Sequence, residues 1–98
     1  MSDRELLELA AKAARYQYAK HGGYIVVDGI PGNWNPLSDD GDALRLAVKL
    51  EIDLWFGCGG LSAHGLAMDI EEDYGRDTYA ATCRAIVRAA AEIGKAMP

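Results

Sequence analysis

The sequence predicts an α+β domain, a small antiparallel sheet with three helices in the order α-β-β-α-β-β-α. Three observations carry this. The chain opens with a helix-capping signature and an apolar face at helical spacing, MSDRELLELAAKAA. Its middle holds pairs of short segments in which apolar and polar residues alternate with a period of two. Its last stretch, DTYAATCRAIVRAAAEIG, carries an apolar stripe with steps of three and four. Strand pairs set between helices favour antiparallel hairpins with helices packed on one face. The 98 residues are read as one domain, 1–98, and half of them are hydrophobic, enough for a single core.

The elements follow in order. Ser2-Asp3-Arg4-Glu5 fits a capping box, with the Ser hydroxyl accepting from the Glu amide and the Glu side chain reaching back. Met1 and Leu6 supply the matching hydrophobic staple. Leu6, Ala10, Ala13 and Gln17, flanked by Leu7, Ala14 and Tyr18, form the apolar face, with Glu5, Glu8, Lys12 and Arg15 opposite. His21-Gly22-Gly23 is the expected stop, because glycine accepts a left-handed backbone. Tyr24–Asp28 is aromatic and β-branched and reads as a strand. Gly29–Gly32 is a turn, and a short strand through Asn33 and Trp34 returns antiparallel. Pro36 ends it, since proline cannot donate to a ladder.

Ser38 or Asp39 then caps a second helix, with Asp39, Asp40 and Asp42 at its positive end. Leu44, Ala47 and Val48, with Leu46 and Leu50, are expected on its buried side. Ile52, Leu54 and Phe56 alternate with Asp53 and Trp55, and Leu66, Met68 and Ile70 alternate with Ala67, Asp69 and Glu71. Each set reads as a half-buried strand. The Gly-rich stretch GCGGLSAHG, 57–65, joins them as a hairpin loop. The third helix starts near Asp77 or Thr78 and buries Tyr79, Cys83, Ile86, Val87, Ala90, Ile93 and Met97.

Composition narrows the function. The net charge is −5. Affinity for nucleic acid or an anionic membrane comes from Lys and Arg neutralising phosphate, so neither is expected as a partner. An acidic surface suits a basic protein face. The two cysteines, Cys58 and Cys83, have no metal-ligand spacing and are too few for a disulfide framework, which reads as reduced thiols in a cytosolic protein. The charged N-terminus reads as neither signal peptide nor membrane helix.

Candidate binding residues gather in two places. In Asn33–Asp42, Trp34 offers a flat ring for stacking, and Asn33 and Asn35 offer paired donors and acceptors. Asp42 lies beside them at the helix start. The same residues have packing roles: Trp34 covering the core, Asn35 holding the bend before Pro36, and the aspartates capping. Arg84, Arg88 and Lys95 lie roughly along one line of the last helix, with Arg76 just before it. Such a line suits phosphate, and equally suits a solvated face. Trp55, on the outward phase of its strand, is a candidate protein-interface anchor, and equally fits a position covered by a helix if the sheet is buried on both sides. The loop glycines lack the ending of a phosphate-binding P-loop. Cys58 and His64 make a nucleophile–base pair only if the fold joins them, and too few ligands are present for zinc. No catalytic residue, metal or cofactor is assigned.

The spans WNPLSDDGDAL (34–44), VKLEIDL (48–54) and DTYAATCRAIVRAAAEIG (77–94) resemble the NinX-like family of small phage accessory proteins of unknown function. Trp34, Asn35, Pro36, Asp39, Asp42, Ala43 and Leu44 occupy the family's aromatic–polar–Pro and Asp-Ala positions, and Arg84 and Ala85 match its closing helix. The likeness does not extend over 55–75. It implies a phage product in the cytoplasm of a host bacterium. The expectation is then a non-enzymatic counter-defence protein that sequesters a small nucleotide-derived immune signal, built as a homo-oligomer. Trp34 would stack, Asn33 and Asn35 would hydrogen-bond, and Arg76 and Arg84 would hold phosphate, with Asp42 and Arg88 beside them. The alternative is an inhibitor of a host defence protein, acting through the acidic surface and exposed aromatics.

Overall fold

The computed structural model describes residues 1–18, 24–27, 30–65 and 68–98. Helix α1 spans Asp3–Ala14 and begins with the expected capping box, in which the Glu5 amide donates to the Ser2 hydroxyl at 3.2 Å. The Ser2 hydroxyl and backbone amide both donate to the Glu5 carboxylate, and these bonds hold its pKa below the ordinary value. The helix ends at Ala14. Arg15 takes a left-handed backbone, φ 62°, and its amide closes on Ala11 and Lys12. The expected stop at 21–23 lies outside the described residues. Gln17 and Tyr18, assigned to the helix by periodicity, instead form strand β1.

Strands β2 (Tyr24–Val27) and β3 (Ile30–Asn33) pair antiparallel, and β1 adds to the other side of β2. Strand β3 therefore starts earlier than expected. Pro31 is tolerated because β3 is an edge strand. Helix α2 spans Asp40–Lys49 with Asp39 as its N-cap. Strands β4 (Asp53–Phe56), β5 (Gly60–Gly65) and β6 (Met68–Asp73) make a second antiparallel meander in the order β4-β5-β6. Two thirds of the predicted loop, 60–65, is thus a strand. Only 57–59 turn the chain, with the Gly57 amide donating to the Gly60 carbonyl and Gly59 at φ 91°. The described residues form an α+β domain of three helices and antiparallel strands, as the pattern predicted, with β1 and β5 added and the strands split between two sheets.

Helix α3, Thr78–Ala96, is the centre of the fold. It packs on α1, α2, β5 and β6. That is why alanine and glycine dominate it: Ala81, Ala85, Ala89, Ala90, Ala91 and Gly94 are buried beside Cys83, Ile86 and Val87. Small residues let the helices approach closely, and a Cβ on Gly94 would lie 2.0 Å from the Leu9 carbonyl oxygen. Along the meander, Leu61 and Ala63 are buried beneath the helices, while Ser62 and His64 face the other way. Among the described residues no helix is long and apolar enough to cross a membrane.

Candidate functional site

The segment 33–42 is built as a junction. Trp34 is only 8% exposed and belongs to the core cluster. Tyr16 meets it edge-to-face at 5.7 Å, and Lys49 lies 4.5 Å over the Tyr16 ring. A stacking role for Trp34 is thereby overturned: its ring is covered by its own domain. Asn35 is spent on the bend. Its side-chain oxygen accepts from the Leu37 amide at 3.1 Å, and its carbonyl accepts from Ser38 and Asp39. Asp42 accepts from the Asn35 amide at 3.0 Å and lies 3.7 Å from Arg45. Asn35 and Asp42 thus tie β3 to α2, and Asn33 closes the ladder opposite Tyr24.

The basic line on α3 is divided. Arg84 turns to α1 and donates to Asp3 at 3.2 Å, whereas Arg88 turns to β6 and donates to the Glu71 carbonyl at 2.9 Å and the Glu72 carboxylate. Four residues apart on one helix, they serve different neighbours and frame no common anion site. Arg76 is exposed in the turn before α3. The set expected to hold a nucleotide is not brought together.

What the fold does assemble is an apolar groove of about 660 Å³ between α2, β4 and α3. Ala43 and Leu44 come from α2, Leu54 and Phe56 from β4, and Tyr79, Cys83 and Ile86 from α3. Four residues assigned to the core by their spacing stand open here or next to it: Leu44 is 60% exposed, Val48 70%, Phe56 63% and Tyr79 73%. Helix α2 buries Leu46 and Ala47 as expected, together with Ala43, and leaves Leu44 and Val48, one turn apart, on a second apolar face. Tyr79 sits in the first turn of α3, ahead of the point where the other elements enclose that helix.

One end of the groove is acidic. Asp40 lines it and accepts from the Cys83 thiol at 3.3 Å. Burial first, then that hydrogen bond and the charges of Asp40, Asp39 and Asp77, push the Cys83 thiol up to about 11. Asp40 thus lines this end, and Asp39 and Asp77, the caps of α2 and α3, lie close enough for their charge to reach the thiol. Cys83 itself is buried and held as a neutral thiol, the opposite of an activated nucleophile.

Cys58 is exposed in the β4–β5 turn, while His64 is engaged elsewhere. On the sheet face away from the helices, Ser62 Oγ lies 2.9 Å from His64 Nε2, and His64 Nδ1 lies 2.6 Å from Asp69 Oδ1. Trp55 is exposed, which decides between the two alternatives for its face, and meets His64 edge-on at 6.1 Å. The sequence signal for this row was available: Ser-x-His on one strand shares a face, and the hairpin register sets Asp69 opposite His64. The glycines of 57–60 hide it, because they give the start of β5 the composition of a loop.

Comparison of the chain with family models, curated proteins and solved structures gives no match in any of the three. Among the described residues no cluster of metal-ligating side chains occurs.

Proposed function

We infer that this is a protein-binding module that takes an amphipathic, basic helix of a partner into the groove between α2, β4 and α3. One observation carries the reading. Leu44, Phe56 and Tyr79 have the spacing of core residues and are left uncovered around one apolar groove, with Val48 exposed one turn along α2 from Leu44. Large apolar side chains clustered in this way favour an occupant, since isolated exposed apolar residues are ordinary but a contiguous patch marks an interaction surface. A helix laid in a groove reads its floor with apolar anchors at successive turns. The carboxylates of Asp39, Asp40 and Asp77 and the net charge of −5 select lysine or arginine beside those anchors. They also repel a second copy of the chain.

This reading develops the inhibitor expectation rather than the nucleotide one, which loses its stacking ring to the core and Arg84 and Arg88 to separate neighbours. The resemblance to phage accessory proteins supplies the setting: a chain made in a bacterial cytoplasm that acts by occupying a host protein. The probe is a labelled helical peptide with a leucine face and lysine flanks, followed by anisotropy against the purified chain. Binding that weakens with salt and falls at least tenfold with Tyr79→Asp or Phe56→Asp is expected. A glutamate-flanked peptide binding equally well would refute the charge argument. Sedimentation showing a dimer dispersed by the same substitutions would replace the partner helix with a second copy. A nucleotide panel is expected to leave the melting temperature unchanged, and a ligand-induced rise would restore sequestration.

A further inference from the structure

We propose that Ser62, His64 and Asp69 form a nucleophilic row on the open face of the β4–β6 sheet, able to take an acyl group from a small cationic ester. This face lies opposite the groove, and the proposal does not rest on the binding reading.

The geometry is that of an activated hydroxyl. Asp69 at 2.6 Å from Nδ1 keeps a proton on that nitrogen and leaves Nε2 of the neutral ring as the acceptor. The Ser62 hydroxyl at 2.9 Å donates to it. A nucleophile within hydrogen-bond reach of a base, and a base oriented by a third group, define the arrangement. The sheet fixes all three. Ser62 and His64 are two residues apart on β5, the middle strand, and Asp69 is the register partner of His64 on β6. Trp55, the partner of Ser62 on β4, stands against the imidazole at 6.1 Å. Two neighbours on separate strands thus restrict the ring.

Beside Ser62 opens a shallow cleft of about 520 Å³, bounded by Trp55, the 57–60 turn, Glu71 and Asp73. An indole 66% exposed and two carboxylates attract a cation, so the alcohol half of the ester carries an ammonium rather than an anion. In the reaction, Ser62 Oγ forms a bond to the ester carbonyl carbon as its proton passes to His64 Nε2. The bond from carbon to the alcohol oxygen breaks, and the departing alcohol takes that proton. Water then attacks the acyl carbonyl and gives its proton to His64, the Oγ–carbon bond breaks, and Ser62 regains a proton from the ring. The face is open to solvent, so acylation by esters and phosphonyl fluorides with good leaving groups is the step this geometry favours.

The test uses the purified chain and a biotinylated fluorophosphonate, read by intact mass and peptide mapping. Attack of Ser62 on phosphorus with loss of fluoride should give one adduct per chain, mapped to Ser62. Ser62→Ala should abolish it, and His64→Ala, with an unchanged circular-dichroism spectrum, should slow it about a hundredfold or more. Asp69→Asn should slow it while the probe concentration at half-maximal rate stays fixed, as a positioning role requires. In parallel, a choline thioester should be hydrolysed at least tenfold faster than an anionic ester of the same acyl group. Absence of labelling while a known serine hydrolase in the same tube is labelled would overturn the proposal. So would an adduct on another residue, or labelling that His64→Ala leaves intact. Preference for the anionic ester would overturn the assigned substrate class.

Discussion

Gly94→Ala sets two physical effects against each other, and the structure says which wins. By helix propensity alone, alanine in place of glycine in the last turn of α3 gains at most about 1 kcal/mol. The α1–α3 contact opposes it. A Cβ at position 94 would lie 2.0 Å from the Leu9 carbonyl oxygen, 2.9 Å from the Leu9 carbonyl carbon and 3.3 Å from the Ala13 nitrogen. All three are backbone atoms, so no side-chain rotation relieves the overlap, and the helices must separate by roughly 1 Å to restore contact distances in a close-packed interior. Overpacking of this kind costs about 1–3 kcal/mol, occasionally more, and rigid backbone on both sides places it at the upper end. The net is a loss of about 2 kcal/mol. For a domain of this size each kcal/mol moves the midpoint by about 4–8 °C, so the melting temperature should fall by roughly 8–16 °C. Thermal unfolding followed by circular dichroism reads this directly. Gly32→Ala is the control, since no atom lies within 4 Å of its Cβ position. If Gly94→Ala raises the midpoint, as propensity alone demands, the close contact between α1 and α3 does not exist.

Two further expectations follow from the buried side chains. Trp34→Ala should cost about 3–5 kcal/mol in chemical denaturation, because it empties a core site, and should leave affinity for the basic peptide unchanged once folded protein is compared. A ring that served a ligand instead would show the reverse. Of the two thiols, Cys58 should react with a disulfide reagent at once and Cys83 only as the protein unfolds. The folded-state pKa of Cys83 lies above the ordinary 9.0, at about 11. Its contribution to stability is therefore complete below about pH 9 and lost as pH rises through about 11, and Cys83→Ala should flatten that alkaline decline.

How much of this was legible depended on whether a signal was local. The Ser2–Glu5 box and the Asp39 cap are satisfied within one turn, so sequence spacing alone fixes them. The stripe Cys83, Ile86, Val87 and Ala90 survived because α3 is enclosed on most of its circumference, and any reasonable phase falls inside. Leu44, Val48, Phe56 and Tyr79 were misplaced for the converse reason. Their spacing records an apolar face, but whether that face is covered depends on where neighbouring elements end. Strand β5 hid behind glycines, since Gly57, Gly59 and Gly60 read as a loop while Leu61 and Ala63 already held the inward phase. Of the candidate site, Trp34 is separable from a ligand platform only by knowing that Tyr16, itself covered by Lys49, reaches it from elsewhere in the chain. The partners of Arg84 and Arg88, 81 and 16–17 residues away, were equally out of reach of local spacing.

The pairing of α1 with α3 also bears on how the chain reaches its native state. Asp3 meets Arg84, Leu9 meets Gly94, and Lys12 donates to the Met97 carbonyl across 85 residues, so the two helices run side by side in the same direction. Contacts this distant in sequence must wait for the intervening chain, which slows folding. During synthesis α1 leaves the ribosome with its alanine face bare and keeps it so until α3 follows. At about 5–20 residues per second that interval lasts several seconds, long enough for a chaperone to bind. The first helix to form is thus among the last to be secured, and the nascent chain offers an exposed apolar helix before it offers a groove.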